Sequence, residues 1–162
     1  MEKPKKKSTG STKNKSDIKP ANNMVKLKSE IKNIKEIVGE YNIPEENIHI
    51  KIILEKMQER LEYYVKILIQ LLQPEEFPSL HECTMFDDTE KAVLFSTYKE
   101  MMILHRELMK AHIKNDDENM IITINYVHSE LKKLKPQMLD ILNKMQESWK
   151  RTDTIGRLRY FG

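Results

Sequence analysis

Glycine and proline are scarce in this sequence, with four glycines and six prolines among 162 residues. A β-sandwich or β-barrel needs many tight turns, so these low numbers argue against such folds. The single cysteine, Cys83, excludes an internal disulfide and fits a reducing compartment. No run of about 18 apolar residues is present, which predicts no membrane-spanning helix. We therefore expect a cytoplasmic protein without a membrane partner.

The motifs that mark common catalytic and cofactor sites are also missing. The sequence contains no GxxxxGKS or GxxxxGKT loop, no GxGxxG, GxSxG or HExxH motif, and no CxxC pair. Their absence removes the usual reasons to propose catalysis. We expect no enzyme activity, no cofactor and no metal site.

Charge is distributed unevenly, although the formal net charge is only +3. Residues 1–20 contain seven lysines and two acidic residues, and residues 148–162 contain four basic residues and one acidic residue. Residues 1–22 also contain almost no bulky apolar side chain, with Ile18 as the main exception, which predicts a disordered basic arm. The arm supplies candidate ligands for a polyanion: Lys3, Lys5, Lys6, Lys7, Lys13 and Lys15.

Apolar residues recur at helical spacing between residues 24 and 150. This pattern predicts an all-α fold, an antiparallel bundle of four to five long helices over residues 23–150, followed by a short non-helical tail at 151–162. The predicted helices are 24–41, 45–73, 88–114, 117–135 and 136–150. Prolines and polar turns set these boundaries, at Pro44, Pro74 and Asn115, and Pro136 either kinks or restarts the last helix.

Two segments carry more specific predictions. Residues 74–86 have no helical period and two prolines, so we expect a crossing loop pinned by Phe77, Leu80 and Phe86. Asp87, with Glu90 three residues later, predicts a capping box at the start of the next helix. The first helix carries a heptad seam that packs either within the bundle or in a homo-oligomer through residues 24–41; its members are Met24, Leu27, Ile31, Ile34, Val38 and Tyr41.

The histidines and the cysteine are weak candidates for chemistry. His105 and His112 share a helix face but lie about 10 Å apart along it, too far for one metal ion. A hairpin folded near residue 116 allows His105 and His128 to meet. Cys83 lies two residues from His81, with no third group to complete a nucleophilic triad. We interpret the histidines as packing residues and Cys83 as a half-buried thiol.

The C-terminal tail, RTDTIGRLRYFG, alternates in type with a period of two. It either packs back over the end of the bundle near Trp149 or is offered to a partner. In the second case Arg157, Leu158, Arg159, Tyr160 and Phe161 are the binding residues, as an added strand or a pocket ligand.

The function that these patterns favour is a non-enzymatic helical protein-interaction module, an adaptor or complex subunit. Its binding surface is the tail or a bundle groove, and methionine-rich helix faces suit such grooves. The alternative is an accessory protein of a nucleic-acid or ribonucleoprotein complex that binds phosphates through its two basic ends.

Overall fold

Five helices and no strands make up the part of the chain that the computed structural model describes, residues 29–44, 46 and 48–150. The helices are α1 (Ile34–Glu40), α2 (Ile50–Leu72), α3 (Phe77–Cys83), α4 (Asp88–Lys114) and α5 (Asp117–Lys150). The predicted all-α bundle is confirmed. None of these helices combines the length and apolarity that a membrane span requires. The predicted arm (1–22) and tail (151–162), with their candidate binding residues, lie outside the described residues.

The three long helices α2, α4 and α5 form the core. Helix α4 is antiparallel to α5 across the turn at residues 115–116, and it is antiparallel to α2, since Glu62 lies against His105 while Glu55 lines the same groove as His112. The side chains at their common interface are fully buried and recur at helical spacing: Leu54, Leu61 and Leu68 of α2, Leu94, Met101 and Leu108 of α4, and Met120, Ile124 and Val127 of α5.

Helix α1 is short but belongs to the core. Ile37 is completely buried, and Tyr41 at its C-terminal end lies under the guanidinium of Arg60, 4.9 Å from the ring centroid. Burial raises the pKa of the Tyr41 hydroxyl. Arg60 also donates to the Glu40 carbonyl at 3.0 Å, which satisfies an end of α1 that has no further helical partner.

The heptad seam of residues 24–41 is used by this chain itself. Ile31, Ile34 and Tyr41 are buried in the bundle, and Val38 is partly buried against it. Met24 and Leu27 lie outside the described residues. Homo-oligomerisation through residues 24–41 stays a prediction, and the described seam residues contribute to the fold of one chain.

The start of α2 differs from the prediction. The helix begins at Ile50 rather than at residue 45, and the preceding chain crosses the bundle after a left-handed residue, Asn42 (φ 51°). Ile43 is buried during this crossing, so apolar burial outweighs the helix-start signal of a proline followed by acids. His49 caps α2, because its ring nitrogen accepts from the Lys51 amide at 3.3 Å.

The predicted loop at 74–86 contains the helix α3, which begins with Pro78 in its first turn, a position where a proline is tolerated. Of the three side chains expected to pin the segment, only Phe86 is buried. Phe77 and Leu80 are 48% and 49% exposed. This crossing therefore has regular structure and presents apolar side chains to solvent.

Helices α4 and α5 test two local predictions. The capping box is confirmed, because Asp87 accepts from the Glu90 amide at 2.8 Å and Glu90 accepts from the Asp87 amide at 2.9 Å. The helix break at Pro136 is wrong, since α5 is one helix from Asp117 to Lys150. Leu134 and Met138 are buried on either side of the proline. Their packing against the core offsets the cost of about 3 kcal/mol that an interior proline imposes.

We predict that Ile37→Ala lowers the free energy of unfolding by about 2–5 kcal/mol, as expected for truncating a fully buried isoleucine. The exposed Lys35→Ala change on the same helix is the control, with an expected effect within about 0.5 kcal/mol. Urea denaturation followed by circular dichroism measures both. Equal, small effects would mean that α1 is not part of the cooperative core.

Candidate protein-binding groove

An open groove of about 470 Å³ runs between α2 and α4 on the outside of the bundle. We call it the acidic groove. Four side chains of α2 form one wall and three of α4 form the other: Glu55, Gln58, Glu59 and Glu62, then Met109, His112 and Ile113. Each α2 residue has another of the set three or four positions away, so the four share one helix face.

The α2 wall carries negative charge. Glu62 accepts from Gln58 at 2.8 Å and lies 3.1 Å from the ring of His105. These two hydrogen bonds, the one from Gln58 first, lower the pKa of Glu62. Lys56 balances one of the other carboxylates, since its ammonium lies 2.6 Å from Glu59. The wall therefore remains acidic at neutral pH.

The α4 wall is mainly apolar, and its most exposed member is Ile113. Ile113 is 80% exposed, the largest exposure of any bulky apolar residue described, and Met109 lies one turn before it. Met102 and Phe95 continue the same stripe at seven-residue spacing, and Phe95 is 54% exposed. A line of exposed and half-buried apolar side chains on one helix edge is typical of an interaction surface.

The methionines divide between core and groove. Met101, Met120 and Met138 are buried core residues, while Met102 and Met109 are half-buried along the α4 edge. Met109 Sδ lies 3.1 Å from Nη1 of Arg106. Of the predicted methionine-rich faces, only this edge of α4 is therefore a candidate binding surface.

His105 and His128 have separate partners. His105 lies against Glu62 of α2, while His128 lies between α5 and α1, 3.7 Å from Glu36 and 4.0 Å from Glu40. His128 is 5% exposed, and its Nε2 is a buried nitrogen without a hydrogen-bond partner. A ring so enclosed cannot meet a substrate. It forms part of the contact between α1 and α5.

Salt bridges strengthen that contact at the surface. Lys132 of α5 binds Glu36 at 2.8 Å, and Lys135 binds Glu40 at 3.2 Å. The hydrogen bond from Lys132 is the main reason why the pKa of Glu36 is lowered. This cluster fastens α1 to the bundle and is unrelated to the acidic groove.

Cys83 and His81 are not arranged as a nucleophile and its base. Cys83 is half-buried at the end of α3, whereas the His81 ring engages α5, 3.1 Å from the Ser148 carbonyl oxygen. Among the described residues, no group of three or more histidine, cysteine, aspartate or glutamate side chains is placed to hold a metal ion.

The acidic wall of the groove was missed in the sequence. Its signal is present, because Glu55, Glu59 and Glu62 follow the four-and-three spacing of a single helix face. Such a pattern is ordinary on a solvated face. Only the neighbouring apolar edge of α4, 50 residues later in the chain, distinguishes it.

We predict that the Glu62 carboxylate makes the free energy of unfolding decrease as pH falls. Because its pKa is lowered on folding, the ionised form stabilises the fold above the unfolded pKa of about 4.3, and this contribution is lost as pH falls through the lower folded pKa. As pH is lowered from about 5 to about 3, the free energy of unfolding should therefore decrease less in Glu62→Gln than in the wild type. Gln58→Ala, which removes the main donor, should reduce the pH dependence in the same direction. Identical urea-denaturation profiles in all three proteins would contradict this role.

Comparison with known proteins adds no relationship. No family model matches the chain, and no curated protein or solved structure shows significant similarity to it. The acidic groove and the surfaces beside it are therefore interpreted from their own chemistry.

Proposed function

We propose that this protein is a non-enzymatic interaction module that binds another protein through the acidic groove. The observation that carries the proposal is the position of Ile113, four-fifths exposed beside a wall of glutamates. An isolated exposed apolar residue needs no explanation, but Ile113 and Met109 together face an acidic wall, and such a pair of walls is suited to a ligand with both properties.

The partner segment that fits is an amphipathic helix with a basic edge. Its apolar face would lie on Met109, Ile113 and the preceding stripe of α4, with anchors at helical spacing. Its lysines or arginines would meet Glu55, Glu59 and Glu62. Unbranched methionine side chains can adjust to different apolar partners, which suits an adaptor that recognises more than one sequence.

The open form of the groove supports binding rather than catalysis. A catalytic site needs reactive groups positioned in a site from which water is excluded, whereas these side chains line the outer surface. We further propose a cytoplasmic role as an adaptor or complex subunit, consistent with a single cysteine that cannot form an internal disulfide.

A second candidate function is nucleic-acid association through the basic ends. The supporting observation is the charge of residues 1–20, seven lysines against two acidic residues. The acidic groove repels phosphates, so the arm lysines Lys3, Lys5, Lys6, Lys7, Lys13 and Lys15 would supply the contacts, together with the arginines of the tail. Lysines without interleaved aromatics favour binding that is independent of base sequence.

The groove proposal predicts specific photo-crosslinking. With p-benzoylphenylalanine in place of Ile113, irradiation in an extract of cells that express the protein should give discrete protein adducts whose crosslinked peptides are basic and apolar. Glu59→Lys/Glu62→Lys should abolish them, because the reversed charge repels such a segment. The matched control carries the crosslinker at Ile122, which is 61% exposed on α5 outside the groove.

Three results would contradict the groove proposal. They are equal adducts from positions 113 and 122, adducts that survive the charge reversal, and crosslinked peptides that are acidic. Circular dichroism of each variant ensures that a lost adduct does not reflect a lost fold.

The arm proposal predicts steeply salt-dependent nucleic-acid binding. Fluorescence anisotropy with single-stranded and duplex oligonucleotides should give affinities that fall by orders of magnitude between about 50 and about 200 mM salt. Deletion of residues 2–19 should remove this dependence. Absence of binding at the lowest salt concentration would rule out the nucleic-acid role.

A further inference from the structure

A second apolar surface lies at the end of the bundle where the described chain stops. We call it the α3–α5 end surface, and it consists of Phe77, Leu80, Leu142 and Trp149. All four side chains are exposed, Trp149 by 53%. Leu142 and Trp149 are seven residues apart on α5 and therefore lie on one helix face, two turns apart.

Contacts between α3 and α5 join the two halves of this surface. The His81 ring lies between two aromatic rings, with its centroid 4.6 Å from that of Trp149 and 6.3 Å from that of Phe77. Trp149 donates from Nε1 to Glu82 at 2.7 Å. The indole nitrogen of Trp149 and Nε2 of His81 thus have partners within the bundle, and about half of the Trp149 and Phe77 side chains stays exposed.

We propose that the chain's own residues 155–161 cover the α3–α5 end surface. This segment contains four bulky apolar residues, Ile155, Leu158, Tyr160 and Phe161, and it follows Trp149 within a few residues. Gly156 permits the reversal of direction that would bring the segment back over the helix end. An exposed aromatic cluster and an apolar terminal segment cover each other at little entropic cost when they are so closely linked.

Charge favours the same arrangement. The segment carries Arg157 and Arg159, and α3 offers acidic groups on both sides of its apolar residues. Glu76 is exposed before Phe77, and Glu82 lies beside Trp149. Arginines that alternate with apolar side chains can meet these carboxylates while Leu158 and Tyr160 lie on the rings.

The segment is long enough to reach this surface but too short to reach the Ile113 end of the acidic groove. Leu158 is eight residues beyond Lys150 and reaches at most about 28 Å, whereas Leu142 is only about 12 Å back along α5. Ile113 lies at the opposite end of the bundle, before the turn that starts α5, and the 34 residues of α5 rise about 51 Å. The segment can cover the α3–α5 end surface of its own chain but cannot reach the Ile113 end of the groove.

Covalent linkage also favours the same chain over a second copy. A short flexible connection gives an effective concentration in the millimolar range, above the concentration of free protein in most samples. The proposal stands apart from the function proposed for the acidic groove, since the two surfaces share no residue.

The first test measures the fluorescence of Trp149, which is the only tryptophan in the sequence. We expect the full chain to show a blue-shifted emission maximum and weaker acrylamide quenching relative to a chain that ends at Lys150. Leu158→Asp/Tyr160→Asp should reproduce the truncated spectrum. The charge-matched control Thr152→Asp/Thr154→Asp, closer to Trp149 but outside the apolar segment, should retain the spectrum of the full chain.

The second test uses Cys83, the only cysteine, which lies in α3 beside the surface. A nitroxide attached there should cause loss of the amide signals of Tyr160 and Phe161 in ¹⁵N-labelled protein. A label at Ile113→Cys in a Cys83→Ser background should leave those signals intact. In a mixed sample, one protein carries the nitroxide but no ¹⁵N, and the other is ¹⁵N-labelled Cys83→Ser protein without a nitroxide. Signal loss in this mixture reports contact between two chains.

Each outcome decides the proposal. Signal loss in protein that carries both labels, with no loss in the mixed sample and with the fluorescence shift, supports it. Signal loss of equal extent in the mixed sample assigns the segment to a second copy and overturns it. Unchanged Trp149 quenching on truncation, or full-intensity Tyr160 and Phe161 signals, shows that the surface is not covered by the tail.

Discussion

The packing of α4 against both α2 and α5 is the interaction on which the rest of the structure depends. Its buried face, from Leu94 to Ala111, contributes to two helix interfaces at once. Each buried leucine or methionine there contributes about 1.5–3 kcal/mol relative to an exposed one. Because that face turns inward, the edge that carries Met109 and Ile113 must lie at the surface beside α2. The acidic groove is thus a geometric consequence of the core.

The two short helices, α1 and α3, form only because they pack against this core. Helices of seven residues are unstable in isolation, so α1 and α3 depend on their contacts with the long helices. Helix α1 is fastened at both Tyr41 and Glu36, whereas α3 leaves Phe77 and Leu80 exposed. The bundle consequently has one acidic and apolar surface and one aromatic surface.

Much of the architecture can be predicted from local patterns. The apolar spacing identifies α2, α4 and α5, and the Asp87 capping box locates the start of α4 to the residue, because both signals act within a few positions in the chain. Boundaries that depend on distant contacts were predicted less well. Pro136 does not end α5, since buried neighbours on both sides hold the helix together. Pro44 does not start α2, since Ile43 is buried in a crossing segment.

In the candidate surfaces, too, some features depend on local sequence and others on contacts between distant residues. The sequence by itself determined the helical class, the uneven charge and the glutamate spacing on α2, because helix periodicity and composition are properties of neighbouring residues. It did not determine which apolar residues stay exposed: Ile113 and Ile124 are equally apolar, yet one is 80% exposed and the other is buried. Only the tertiary structure decided that difference, because burial depends on which helix faces meet, and residues far apart in the chain set those contacts.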